Sequence, residues 1–210
     1  VKLPRDFTEY FGGKEKAFKT MMAGEILDTV KLSAFAKKFY SEPFTLNEIP
    51  EEYISRNNGV MLISSGKIRQ SNEGCACTMN SILKQFIKHL TVGENEVVLL
   101  DMEAGVEHFG RGVDNSVDLI LMIVDPSFES LKLTKKIQQL GDSIGKTVFF
   151  VLNKVNELVL PTMLESIDDQ SKVLAVISTD TEIARKGLVG DELMMEIPEI
   201  HMLARKILKQ

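Results

Sequence analysis

The stretch EVVLLDMEAGVEHFGRG, Glu96–Gly112, decides how the chain is read. Val97, Val98, Leu99 and Leu100 form a short apolar run, followed by the acidic Asp101 and Glu103 and then by Ala104 and Gly105. A short run that is apolar at consecutive positions predicts a strand buried on both faces. A strand that delivers a carboxylate to its C-terminal end, followed by a glycine, is how many α/β proteins address a metal-bound phosphate. An acidic strand exit also occurs in ordinary cores, so both readings stand on this stretch alone.

Downstream, Val117–Val124 is a second apolar run, broken by Asp118 near its start and closed by Asp125-Pro126-Ser127, and Ser127 is placed to cap a helix from Phe128 to about Leu140. Val148–Leu152 predicts a third strand ended by Asn153-Lys154, and Val173–Ile177 a fourth ended by Ser178-Thr179-Asp180. Between and after them the spacing predicts a short helix over Leu160–Ile167 and a helical turn over Thr181–Arg185 before Gly187. A closing helix spans Leu193–Leu208, broken or restarted at Pro198. Upstream, Met79–Leu90 places Ile82, Leu83, Phe86, Ile87 and Leu90 on one helical face. Helices alternating with strands in this way predict an α/β fold, a doubly wound and mostly parallel sheet that binds its ligand beyond the C-terminal strand ends. All four of those ends are polar.

The first part of the chain reads differently. Residues 1–13 read as loop, Lys14–Met22 and Glu25–Phe39 carry helical spacing, and Asn57-Asn58-Gly59 between Tyr53–Arg56 and Val60–Ser64 is a hairpin signal. The expected organisation is a single domain, with residues 1–58 a helical insert region and 59–210 the α/β core. Hydrophobic residues at 44% and charged residues at 26% are those of a globular chain, and the net charge of −5 argues against broad nucleic-acid binding. No apolar run is long enough to span a membrane and no signal peptide is visible, which makes the cytoplasm the expected compartment. Cys75 and Cys77 are too close for an unstrained structural disulfide, and reduced thiols are the expectation.

Taken in order, VVLLDMEAG, DPS, VLNKV and VISTD resemble the strand ends of the deviant-P-loop ATPases, the class of the ParA-like and septum-site ATPases. The element GCAC, Gly74–Cys77, ahead of the D-x-E-A-G strand is similar to that of the accessory ATPases that mature carbon monoxide dehydrogenase by assisting nickel insertion. The resemblance covers roughly Gly59–Gly190. It implies ATP or ADP with Mg²⁺ as cofactor. It implies that Asp101 holds the Mg²⁺ shell and that the Gly105 N–H senses the γ-phosphate, a contact that can bias a two-state loop. Asn153, with Lys154 beside it, would read the adenine edge, and Asp180 would lie against the base. Read without the resemblance, Asn153 is a turn residue, His108 a solvated loop histidine and Arg111 a surface arginine; Glu103 acquires no role.

Two thiolates cannot close a tetrahedral metal site, but Cys75 and Cys77 from two chains would make a four-thiolate site across a two-fold axis. That arithmetic predicts a homodimer, and the resemblance implies Zn²⁺ or Ni²⁺ between subunits, with a carbon monoxide dehydrogenase-like enzyme as client. A pair of ordinary reduced thiols is the alternative.

The glycine-rich phosphate loop of such ATPases, G-x-x-x-x-G-K-[ST] or its lysine-doubled variant, is not in this sequence; Gly12-Gly13-Lys14 and Gly66-Lys67 lack its spacing. VKLPRDFTEYFGG resembles the segment after the second strand of the family. The expectation is therefore that the sequence begins about 40–50 residues into the parent fold, the length of one β-α-β unit. The sheet would then lack a central strand and leave an edge that a partner covers, a swap fills or aggregation exploits. This chain alone is expected to bind ATP weakly and to be inactive. Two rivals remain: a non-catalytic dimerising metal-binding module, and a ParA-like positioning ATPase, for which the basic closing segment HMLARKILKQ is short.

Overall fold

The computed structural model describes residues 3–13, 15–17, 39, 42–66, 77–102 and 116–209. The chain divides into two compact units, Val1–Ser116 and Val117–Gln210.

In the first unit, Phe7–Phe11 is a 3₁₀ turn where a loop is expected. It ends at Gly12, whose left-handed φ of 82° lets its N–H close back on Glu9. The turn buries Phe7, Thr8 and Phe11. A 2.7 Å bond from the Phe7 N–H to the Ser64 carbonyl and a 3.0 Å bond from the Ser64 hydroxyl to Asp6 Oδ1 pin it to a segment far along the chain. The expected hairpin forms: β1 (Ser55–Asn57) pairs antiparallel with β2 (Val60–Leu62). Asn58 and Gly59 both take positive φ, 47° and 80°, as the mirror-image turn of a tight hairpin requires. Helix α1 (Cys77–His89) buries Met79, Ile82 and Phe86 at helical spacing. These elements meet in a mesh of aromatic rings. Phe7 lies 5.5 Å from Phe39, 5.9 Å from Tyr53 and 5.6 Å from Phe86, the last two edge-to-face, and Phe44 lies 5.3 Å from Phe86.

The expected strand at Val97–Leu100 does not pair. Among the described residues no strand borders it, and Val97, Val98 and Leu99 are exposed, Leu99 by 86%. Apolar content predicts that a segment gains by burial, but an extended segment becomes a strand only when a neighbour takes its N–H and C=O groups.

The second unit is built on a three-stranded parallel sheet of order β3 (Leu119–Val124), β4 (Thr147–Val155), β5 (Val173–Ser178). β4 is central and most of its residues are buried, as a strand covered on both faces must be. Helix α2 (Phe128–Ser143) packs on β3 and β4. Gly141 makes that approach possible, since a Cβ there would run into Val148. Thr134, almost fully buried, is satisfied by carbonyls 2.8 Å away at Leu131 and Ser166, the latter just after α3 (Leu160–Glu165). On the other face, α5 (Pro198–Ile207) buries Leu203 against Phe149, Val151 and Leu174. β3 is an edge of this sheet among the described residues, and its Ile123 is half exposed.

Several boundaries differ from expectation for local reasons. β4 continues through Asn153 and Lys154 to Val155. Helix α4 (Thr181–Val189) runs past Gly187 to a left-handed Gly190, because a glycine inside a helix weakens it but stops it only when the chain turns left-handed. Pro198 starts α5 rather than breaking it, since a first-turn proline gives up no hydrogen bond.

Candidate functional site

The polar ends of β3 and β4 come together around one carboxylate. Asp125 follows β3, and its backbone is held on both sides: its N–H donates to the Ser130 hydroxyl at 3.1 Å and its carbonyl accepts from the Ser127 N–H at 2.7 Å. Ser127 caps α2 as expected, its hydroxyl accepting from the Ser130 N–H. Asn153 Nδ2 donates to Asp125 Oδ1 at 2.9 Å, and Lys154 Nζ donates to Asp125 Oδ2 at 2.5 Å. The ammonium is well exposed, at 62%, so this ion pair faces water and contributes little to stability.

Neighbouring residues of a regular strand point to opposite faces of the sheet. Asn153 and Lys154 nevertheless reach the same side chain. The ladder to β5 slips between Leu152 and Val155, and Lys154 has φ 55°, in the left-handed region. A lysine held there stores strain, a pattern that clusters at functional sites. The Thr179 N–H donates to the Val155 carbonyl at 2.8 Å and fastens the end of β5 to that of β4. Asp180 then caps α4, Oδ1 accepting from the N–H groups of Glu182 and Ile183 at 2.7 and 2.9 Å. The edge thus offers a carboxylate pair, an amide and an ammonium beyond the C-terminal strand ends, where doubly wound sheets take ligands.

Of the residues singled out from the sequence, Asn153 and Lys154 are brought into direct contact with a common partner, and Asp180 belongs to the same sheet edge through its cap. Asp101 is an exposed residue of the first unit. Gly105, Cys75, Glu103, His108 and Arg111 lie outside the described residues, and so does the side chain of Cys77, whose backbone opens α1. The sequence reading placed Asp125 at a strand end but gave it no role. The only signal was that β3 and β4 are consecutive strands, whose polar ends fall side by side in a parallel sheet.

Metal chemistry divides by donor. Asp101 offers a hard carboxylate oxygen, suited to Mg²⁺, which binds few protein ligands and keeps its waters. Among the described residues no three His, Cys, Asp or Glu side chains gather into a metal site. Among the described residues, shifted ionisations include Tyr53 in the first unit and Asp169 in the second. Burial raises the Tyr53 hydroxyl above its ordinary value against the pull of Arg5, and the hydroxyl and N–H of Ser171 hold Asp169 low. A cavity of about 270 Å³ formed by Arg56–Met61 is an open surface of the hairpin, below the usual range for a ligand pocket. Among the described residues no helix is long and apolar enough to cross a membrane. α5 lies on the sheet, with Lys206 Nζ donating to the Leu174 carbonyl at 2.5 Å.

No family model matches the chain. Individual proteins do. An uncharacterized ATP-binding protein of Methanocaldococcus jannaschii is 39% identical over 200 residues, which is 95% of this chain and 77% of that protein. The carbon monoxide dehydrogenase accessory protein CooC of Rhodospirillum rubrum is 32% identical over 146 residues, 69% of this chain and 56% of CooC. A second uncharacterized ATP-binding protein of M. jannaschii is 29% identical over 164 residues, 75% of this chain and 64% of its own length.

Proposed function

Since this chain belongs to the family of ATP-binding proteins that includes these relatives, we propose that it is part of a nucleotide-dependent metallochaperone whose base-recognition groups are Asn153, Lys154 and Asp180. The observation that supports this reading is the strained β4 terminus, where Asn153 and Lys154 converge on Asp125 at the C-terminal edge of a parallel sheet. An Asn amide offers one donor and one acceptor side by side, the complement of the adenine edge. Lys154 and Asp180 set the charge around it. Asp101 supplies the oxygen that would hold the Mg²⁺ shell, and bound Mg²⁺ neutralises charge on the triphosphate. The Gly105 N–H is assigned to the γ-phosphate, so that the segment after Asp101 adopts one arrangement with ATP and another with ADP.

The metal reading rests on Cys75 and Cys77. Two soft thiolates per chain, doubled in a homodimer, complete a Zn²⁺ or Ni²⁺ site, and nucleotide-driven association would open and close it. CooC is by name an accessory protein of carbon monoxide dehydrogenase, and we assign this chain a client of that kind, a nickel-containing enzyme that receives its metal during assembly. Hydrolysis needs phosphate-binding groups beyond those named here, so the role proposed for these residues is recognition of the base and handling of the metal.

The test has two arms. ATP affinity measured by calorimetry should fall about tenfold or more in Asn153→Ala, the scale of one good bidentate contact to a base. Metal content per chain and oligomer size should both fall when Cys75 and Cys77 are changed together to serine. Unchanged ATP affinity would remove the nucleotide site from this edge; unchanged metal and oligomer state would remove the bridging site.

A further inference from the structure

The turn of the β1–β2 hairpin carries chemistry that the nucleotide reading does not use. Asn58 is the one asparagine of the chain that a glycine follows. We propose that Asn58-Gly59 is a site of spontaneous modification, where the side-chain amide is lost as ammonia to leave aspartate or isoaspartate, at a rate set by opening of the hairpin.

The nucleophile is the main-chain nitrogen of Gly59. It gives its proton to water and attacks Asn58 Cγ. A C–N bond forms as the bond from Cγ to Nδ2 breaks and ammonia leaves, which closes a cyclic imide. Water then opens the imide at either carbonyl. Opening at Cγ restores the ordinary chain with an aspartate. Opening at the former main-chain carbonyl gives isoaspartate, whose chain runs through Cβ and Cγ. Water enters and ammonia departs in equal amounts, and nothing is oxidised or reduced.

Three observations favour this position. Gly59 has no Cβ to shield its nitrogen, and the place a Cβ would fill is open space. Asn58 and Gly59 are both exposed, so water reaches the imide. Gly59 belongs to neither strand, and the ladder from Asn57↔Val60 to Ser55↔Leu62 makes no use of its N–H. The closed turn works against the reaction. Pairing holds Asn58 and Gly59 at φ 47° and 80° and fixes the rotation between them, whereas closing the imide requires the chain to turn about that bond. The hairpin must therefore open first. Its sheet has only two short strands, and Val60 is 68% exposed, so opening gives up little burial. Isoaspartate then lengthens the turn between Asn57 and Val60, and the original register no longer fits the loop. The product thus weakens the pairing that had protected the amide.

The test ages the whole protein at neutral pH and follows the tryptic peptide Asn57–Lys67 by mass spectrometry, with fragmentation to assign the site. Acid should accumulate at Asn58 ahead of Asn57 and of every other asparagine. An amide kept at Asn58 while other asparagines convert would overturn the site. Two rates then test the gate. The folded protein should convert more slowly than the same chain in denaturant. Val60→Gly weakens β2 without altering the Asn-Gly step. It should raise the ratio of folded to denatured rate about two- to fivefold, the effect of a glycine inside a strand. Equal rates in the folded and denatured protein, or a ratio that Val60→Gly leaves unchanged, would remove the hairpin as the control.

Discussion

The two units of this chain solve the problem of a core in opposite ways. Among its described residues the first has little regular sheet. Its interior is a network of Phe and Tyr rings, Phe7, Phe11, Phe39, Phe44, Tyr53 and Phe86, contributed by segments spread over most of its length. The second has one ladder of aliphatic strands with helices laid on both faces. Rings bury large areas without needing a repeating backbone, so they can join 3₁₀ turns, a hairpin and helix α1, all of which occur among the described residues of the first unit. Strands must pair to bury anything, so the second unit depends on register. A ring core fails when one ring is removed; a ladder core fails when one close approach is blocked.

The sharpest way to break that comparison is Phe7→Ala. Phe7 stacks on or abuts Tyr10, Phe11, Phe39, Tyr53 and Phe86, and its truncation should destabilise the first unit by about 3–5 kcal/mol. All three tyrosines of the chain, Tyr10, Tyr40 and Tyr53, lie in that unit and there is no tryptophan, so tyrosine fluorescence follows it alone. The tyrosine-monitored denaturation midpoint should drop, with the far-ultraviolet transition of the second unit left in place. A common shift of both transitions would mean that the units unfold as one. The reciprocal change is Gly141→Ala, whose Cβ meets Val148 and the Lys146 carbonyl. It should cost the second unit about 1–3 kcal/mol by overpacking and leave the tyrosine signal unmoved. Asp180→Ala removes the α4 cap and should cost about 1 kcal/mol, whereas Asp180→Asn keeps a capping oxygen and most of that stability.

These stability contrasts follow what was and was not legible in the sequence. Continuous apolar runs at 119–124 and 148–152, the Ser127 cap and the Asn58-Gly59 turn each carry a local reason for their structure, and the fold class of the second unit follows from them. Phe7–Phe11 had no such reason: five residues of 3₁₀ turn leave no periodicity, and what holds them is Ser64 and Phe86, partners distant in sequence. Val97–Leu100 erred the other way, since its composition spoke of burial while pairing depends on a neighbour the composition cannot name. At the site, Asn153, Lys154 and Asp180 could be picked out as strand-end residues, but the bond from Asn153 to Asp125, 28 positions away, comes from topology, and the left-handed Lys154 from a slip in the ladder.

The smallest contrasts are in pH. Tyr53 has its ionisation raised above the ordinary value of 10.0 chiefly by burial. The stabilisation from its neutral form is complete below that value and is lost as pH rises through the higher folded value. The first unit should therefore weaken in alkali, seen as a fall in its denaturation midpoint alongside tyrosinate absorbance, and Tyr53→Phe should flatten the effect. Asp169, in the second unit, is lowered from 3.8 by Ser171. Its contribution is present above that value and disappears as pH falls through the lower folded value; being fully exposed, it should move the acid limb only slightly, and Asp169→Asn should remove even that.

Lys154 also limits how this edge can drift. At φ 55° the backbone accepts glycine freely, asparagine and aspartate tolerably, and β-branched residues hardly at all, so the usual strand residues valine, isoleucine and threonine are closed to this position inside a strand. An exchange for glycine relaxes the backbone and removes the cation; an exchange for aspartate keeps the conformation but sets a second negative charge beside Asp125. The alphabet open at this one position is thus short, and each letter in it changes the charge presented at the sheet edge.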